Sequence, residues 1–124
     1  MVMKILLLDD DNFLRDMYAT KFTNEGHEVH PVASGVDGLR VLQDVKDIDV
    51  VLVDMIMPGM GGIEFITQAK AMSLSETTKF IVLSNQGQDS DIEEAMQAGA
   101  IGYIIKAHSI PSEVVSKVLE YLKE

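Results

Sequence analysis

Four short apolar runs punctuate the chain: ILLL at 5–8, VVLV at 50–53, FIVL at 80–83 and GYII at 102–105. Each is continuous instead of alternating, and most of their residues are β-branched or leucine. That pattern predicts strands buried on both faces, as in a parallel sheet covered by helices. A weaker fifth run, HEVHPVA at 27–33, contains Pro31. Proline cannot donate to a β ladder, so this run predicts a strand at or near an edge.

Between the runs the apolar period lengthens to that of a helix. Leu14, Met17, Tyr18 and Phe22 share one face, as do Ile92, Ala95, Met96 and Gly99. Val114, Val115, Val118, Leu119 and Leu122 form one broad stripe near the C-terminus. Residues 36–44 and 62–72 are less regular but contain no proline. All these stripes, methionines included, are assigned to the core. Asp11 or Asn12 suits the N-cap of the first helix, Gly26 and Gly99 stand where C-caps fall, and Pro111 suits the first turn of the last helix. The order is five β–α units in strict alternation. It predicts one α/β domain on a mainly parallel sheet, spanning residues 1–124, with no second domain.

Composition narrows the class of partner. A chain of 124 residues with 47% hydrophobic and 24% charged residues is an ordinary globular domain. Its formal net charge of -10 argues against direct binding to nucleic acid or to an anionic membrane. It favours cations and basic partner surfaces. The absence of cysteine excludes disulfides, thiolate metal sites and cysteine nucleophiles, and fits a reducing compartment. No apolar run approaches the ~20 residues of a membrane span. The first run leads into acid, unlike a signal peptide with its small-residue cleavage site, so a cytoplasmic location is expected.

The polar residues gain meaning from where they fall. Asp9 and Asp10 follow the first run, Asp54 the third strand, Ser84 the fourth and Lys106 the fifth. In an open parallel sheet the ligand crevice lies at the carboxyl ends of the strands. Three carboxylates would meet there against one ammonium, a balance that either raises carboxyl pKa values or recruits a cation. All-oxygen ligands suit Mg²⁺, with Mn²⁺ as the alternative ion. A carboxylate can act as a nucleophile toward phosphorus, with Lys106 and Ser84 placed to hold phosphoryl oxygens. The constellation suits phosphoryl transfer onto aspartate. His27, His30 and His108 have no metal or triad spacing and are assigned to the surface or to strand ends. The glycines of GMGG at 59–62 match no nucleotide fingerprint and are assigned to a tight turn.

In this order and spacing, ILLLDDDN, VVLVDMIMPGMGG, FIVLSNQG and GYIIKA resemble the receiver domain of two-component response regulators. The resemblance spans essentially the whole chain, and DMIMPGMGG is its most specific piece. It implies a flavodoxin-like fold with strand order 2-1-3-4-5. It implies Asp54 as phosphoacceptor, with Asp10 a direct Mg²⁺ ligand, Asp9 acting through a bound water, and the backbone carbonyl of Ile56 completing the metal's protein ligands. Ser84 takes the place of the switch hydroxyl, Lys106 that of the phosphate-binding lysine, and Tyr103 that of the aromatic residue coupled to the switch. The implied donor is a sensor histidine kinase or phosphotransfer protein. The implied output is a downstream protein effector that reads the face of helix four, strand five and helix five.

One position departs from the family pattern, because Ala107 follows Lys106 where proline is usual. A cis bond before a non-proline residue costs roughly 2.5–4 kcal/mol, so a trans Lys106–Ala107 bond and a shifted loop are expected. Ile56 and Gln86 flank the implied phosphoryl path and neither is acidic, which predicts self-hydrolysis with a half-life well beyond seconds. Two other readings compete. A haloacid-dehalogenase-type phosphatase would use a D-x-D on the first strand, and Asp9–Asp11 fits formally. It would also need a Thr or Val shortly after and a second acidic motif past the fourth strand, and both are missing. A receiver-like docking module that does not use phosphate is the third.

Overall fold

All five runs form strands. The computed structural model describes residues 2–72, 77–85 and 87–123. Along the chain, β1 (Lys4–Leu8), α1 (Asn12–Asn24), β2 (Glu28–Val32), α2 (Gly35–Asp44), β3 (Val50–Val53), α3 (Gly62–Ala71), β4 (Lys79–Ser84), α4 (Asp89–Ala98), β5 (Gly102–Ile105) and α5 (Pro111–Leu122) alternate. The strands pair in parallel in the order β2-β1-β3-β4-β5, the flavodoxin-like arrangement. Pro31 sits in β2, at an edge of the sheet, where a missing donor breaks no central ladder.

Strand periodicity divides the core in two. Ile5, Leu7, Val50, Leu52, Ile81 and Leu83 pack with Tyr18 and Phe22 of α1 and Val114 and Val118 of α5. Leu6, Leu8, Val51, Val53, Phe80 and Val82 point the other way, against Phe65 and Ile66 of α3 and Ala95 of α4. Each such side chain, fully buried, contributes about 1.5–3 kcal/mol relative to exposure. This two-sided burial is why β1 and β3 read as unbroken apolar runs.

The helix ends follow local chemistry. Asp11 is the N-cap of α1, its carboxylate accepting from the Leu14 amide at 2.9 Å. Glu25 is the C-cap, followed by Gly26 at φ +95°. Gly99 caps α4 at φ +118°, and Pro111 opens α5. Among the described residues no helix is long and apolar enough to cross a membrane.

Several details differ from the expectations. Met96 is 45% exposed and does not belong to the core, because the inward face of α4 is taken by Ala95 and half-covered Ile92. Tyr103 and Ile105 are only half-buried, since β5 is the other edge strand. Ser84 is the last residue of β4 and not the first beyond it, α2 begins at Gly35, and α3 ends at Ala71. His27 is buried at the entry to β2, its Nδ1 accepting from the Met3 amide at 3.0 Å. His30 lies inside β2, hydrogen-bonded to Glu28, whereas His108 is exposed as expected.

Candidate functional site

Parallel register brings distant residues side by side. Leu8 is level with both Val32 and Val53, so Asp9 and Asp54 leave the sheet as neighbours. The Asp9 amide donates to the Val32 carbonyl at 3.2 Å and the Asp54 amide to the Leu8 carbonyl at 3.1 Å, which extends the ladder to both aspartates. Ser84 is level with Ile105, and Lys106 comes next. Asp9, Asp10, Asp54, Ile56, Ser84 and Lys106 thus line one cleft of about 270 Å³ at the carboxyl edge of the sheet.

Within it, Lys106 is the bridge. Its Nζ donates to Asp9 Oδ2 at 2.5 Å and to Asp54 Oδ2 at 2.9 Å. The remaining oxygens are also engaged: Asp9 Oδ1 accepts from the Asp11 amide at 3.0 Å, and Asp54 Oδ1 from the Ile56 amide at 3.2 Å. Asp10 differs. It is exposed at the mouth, and among the described residues no protein donor meets its carboxylate. One carboxylate oxygen from each of Asp9, Asp10 and Asp54 lies within 4.8 Å of the others, so three acids face a single ammonium.

Burial pushes the Asp9 carboxyl above its ordinary value, outweighing the lowering by Lys106 and the Asp11 amide. Burial pushes Lys106 down, but hydrogen bonds to Asp9 and Asp54 outweigh it and the net shift is upward. Both partners of one ion pair therefore move up. Asp9, at 1% exposure, is more fully desolvated than Lys106, its bridging partner, can offset.

Tyr103 lies outside the cleft, in a groove between β5 and α5 with Ile105, Lys117 and Tyr121. It reaches the site through a hydrogen bond between its hydroxyl and Ser84. Burial raises the Tyr103 phenol, and the Ser84 bond opposes that shift. Ser84 is 1% exposed and so couples the cleft to the groove. After β5 the chain makes a 3₁₀ turn over Lys106–His108, and the Lys106–Ala107 bond is trans. Ile56 is 57% exposed at the rim; Gln86, its expected counterpart, lies outside the described residues. GMGG makes the expected turn, with Gly59 at φ +79°. Arg15 was not predicted, yet it reaches back from α1 to the Asp9 carbonyl at 2.9 Å. The one available signal was a lone cation in the first turn after an acidic run.

Comparison with known proteins agrees with this arrangement. A match to the response regulator receiver domain family covers residues 5–118. Sporulation initiation phosphotransferase F of Bacillus subtilis is 31% identical over 119 residues, which are 96% of this chain and 93% of that protein. Chemotaxis protein CheY of Thermotoga maritima is 34% identical over 114 residues, 90% of this chain and 91% of that one. Transcriptional regulatory protein AfsQ1 of Streptomyces coelicolor is 29% identical over 102 residues; the match covers 82% of this chain but only 44% of that protein. Among solved structures, Vibrio cholerae chemotaxis protein CheY4 superposes with a TM-score of 0.90 at 26% identity, covering 98% of this chain and 99% of that one. With the acidic cluster, the bridging lysine and the strand order in place, the chain belongs to the response regulator receiver domain family.

Proposed function

We propose that this domain accepts a phosphoryl group on Asp54 from a phosphohistidine of a sensor histidine kinase or phosphotransfer protein, in the cytoplasm. An oxygen of the Asp54 carboxylate attacks phosphorus, the phosphorus–nitrogen bond of the donor breaks, and the departing imidazole nitrogen takes up a proton. The observation that carries the reading is the convergence of Asp9, Asp10 and Asp54 on one cleft with Lys106 between two of them. Asp54 suits the acceptor role better than Asp9. Both carboxylates have their oxygens engaged, but Asp9 is almost fully buried, whereas Asp54 is half-buried and faces the cleft. A D-x-D phosphatase would need Asp9 to attack.

The donor set fits a hard divalent cation. Its oxygens come from carboxylates, three acids outnumber one ammonium, and among the described residues Asp10 meets no protein donor. Asp10, Asp54 and the Ile56 carbonyl would hold Mg²⁺, or Mn²⁺ in its place, with Asp9 acting through water. When bound, the ion offsets the charge that otherwise repels a phosphoryl group. Lys106 then holds one phosphoryl oxygen and Ser84 another. Drawing the Ser84 hydroxyl toward phosphate competes with its bond to Tyr103, which passes the change to the α4–β5–α5 face and its effector.

The test is intact mass after treatment with acetyl phosphate and Mg²⁺, comparing the protein with Asp54→Asn. A single phosphate adduct, absent from the variant, is expected. Absence of any adduct on the wild type would favour a docking module that does not use phosphate, and an adduct lost with Asp9→Asn but kept by Asp54→Asn would favour the phosphatase.

A further inference from the structure

The β1–α1 loop consists of Asp9, Asp10 and Asp11 alone, between Leu8 of β1 and Asn12 of α1. Its outer members are tied down. Asp9 is bound through its amide, its carboxylate and its carbonyl, and Asp11 through its amide, its carboxylate and its carbonyl. Asp10 makes no hydrogen bond of its own among the described residues. Its orientation is therefore set by the peptide planes on either side. The plane joining Asp9 to Asp10 carries the Asp9 carbonyl, and the side chain that grips that carbonyl is Arg15 Nη1 at 2.9 Å. The other arm of the guanidinium donates to Asn12 Oδ1 at 2.6 Å, so the fork is fixed at both tips. Arg15 is half-buried, which shields the contact from water.

We infer that Arg15 is the positioning residue for Asp10, holding the Asp9–Asp10 peptide so that the Asp10 carboxylate faces the cation site. The inference rests on the metal-binding reading above. Its sign separates it from an electrostatic role. A guanidinium beside a cation site repels the cation, so removing its charge should tighten Mg²⁺ binding if charge were all that mattered. If Arg15 positions a ligand, removing it weakens binding instead. Supporting groups of this kind typically cost 10–100-fold in metal affinity when lost.

The experiment is calorimetric titration of Mg²⁺ into the metal-free protein, with backbone amide shifts recorded before addition. Arg15→Met keeps the stem packed while removing the donors, and Arg15→Lys keeps the charge and one donor. The expected result is about tenfold weaker Mg²⁺ binding in Arg15→Met, restored to within about threefold in Arg15→Lys. In the metal-free Arg15→Met protein the Asp10 amide should shift more than those of α1 beyond Asn12. Unchanged or tighter binding in a folded Arg15→Met protein overturns the assignment, as does an unmoved Asp10 amide. A wild type that binds no Mg²⁺ overturns both the metal reading and this one; a wild type that binds it, with Arg15 variants alike, overturns this one alone. Should Arg15→Met fail to fold, Arg15→Gln supplies the comparison with the same expected weakening.

Discussion

Asp9 occupies a setting that penalises its own charge. Burial is the largest influence on its carboxyl, and neither Lys106 nor the Asp11 amide offsets it fully. A carboxyl whose pKa rises on folding holds its proton more tightly in the native state. Its favourable contribution is complete below the ordinary value of 3.8 and is lost as pH rises through the native value. At pH 7 in chelator the charge is therefore a burden. Asp9→Asn is expected to raise the unfolding free energy there by on the order of 1 kcal/mol, with the gain shrinking as pH falls toward 3.8. Lys106 has the same direction of shift and the opposite consequence. Asp9 and Asp54 hold its proton, so its stabilisation is complete below 10.5 and is lost as pH rises through its native value. Lys106→Met leaves two carboxylates without their ammonium and is expected to cost about 3 kcal/mol at neutral pH. The difference from wild type should narrow in alkali. Urea melts of the three proteins across pH check both signs; a destabilised Asp9→Asn protein in chelator would contradict the account.

Between β3 and α3 a loop of eight residues carries Asp54 and Ile56 and must return at once to helix. Gly62 is where it does so, its amide donating to the Met55 carbonyl at 2.9 Å. A Cβ there would collide with the Asp54 carbonyl oxygen and meet the Met55 Cα at 3.0 Å, both rigid backbone. Gly62→Ala must therefore move the start of α3 away from the Asp54 peptide. A loss of about 1–3 kcal/mol in stability is expected, together with slower acetyl phosphate labelling; wild-type behaviour in both would show that the loop yields freely. Elements of this kind differ in how readily the sequence reveals them. Strands β1, β3 and β4 were legible because burial on both faces leaves unbroken apolar runs, and the acids, Ser84 and Lys106 were legible as what ends those runs. Met96 was misread because periodicity reports which residues share a face of a helix and not how far the neighbouring layer extends over it. The role of Arg15 was missed for another reason. Its partner is a backbone carbonyl, and only the turn from β1 into α1 brings the two together.

At the scale of the molecule, a net charge of -10 works against compactness, and the cleft concentrates part of it. Any salt relieves the diffuse part by screening, since exposed charges interact weakly beyond a Debye length of about 10 Å at 0.1 M. The cleft is different, because Asp9 is buried and the three acids lie within 4.8 Å of one another, inside that screening distance. A cation bound there favours the folded state alone, since unfolding separates Asp9 and Asp10 from Asp54 by more than forty positions of chain. Linkage then gives about 2.7 kcal/mol of added stability at ~100 times Kd. Urea melts in Mg²⁺ and in NaCl of equal ionic strength separate the two effects. Both salts are expected to stabilise the wild type, with Mg²⁺ adding an increment that grows with its concentration. In Asp10→Asn the NaCl effect should persist and the Mg²⁺ increment fall away, because screening acts on the whole surface while the increment needs the Asp10 carboxylate at the cleft. Equal increments in both proteins would assign the effect to screening and leave the cleft no specific hold on the ion.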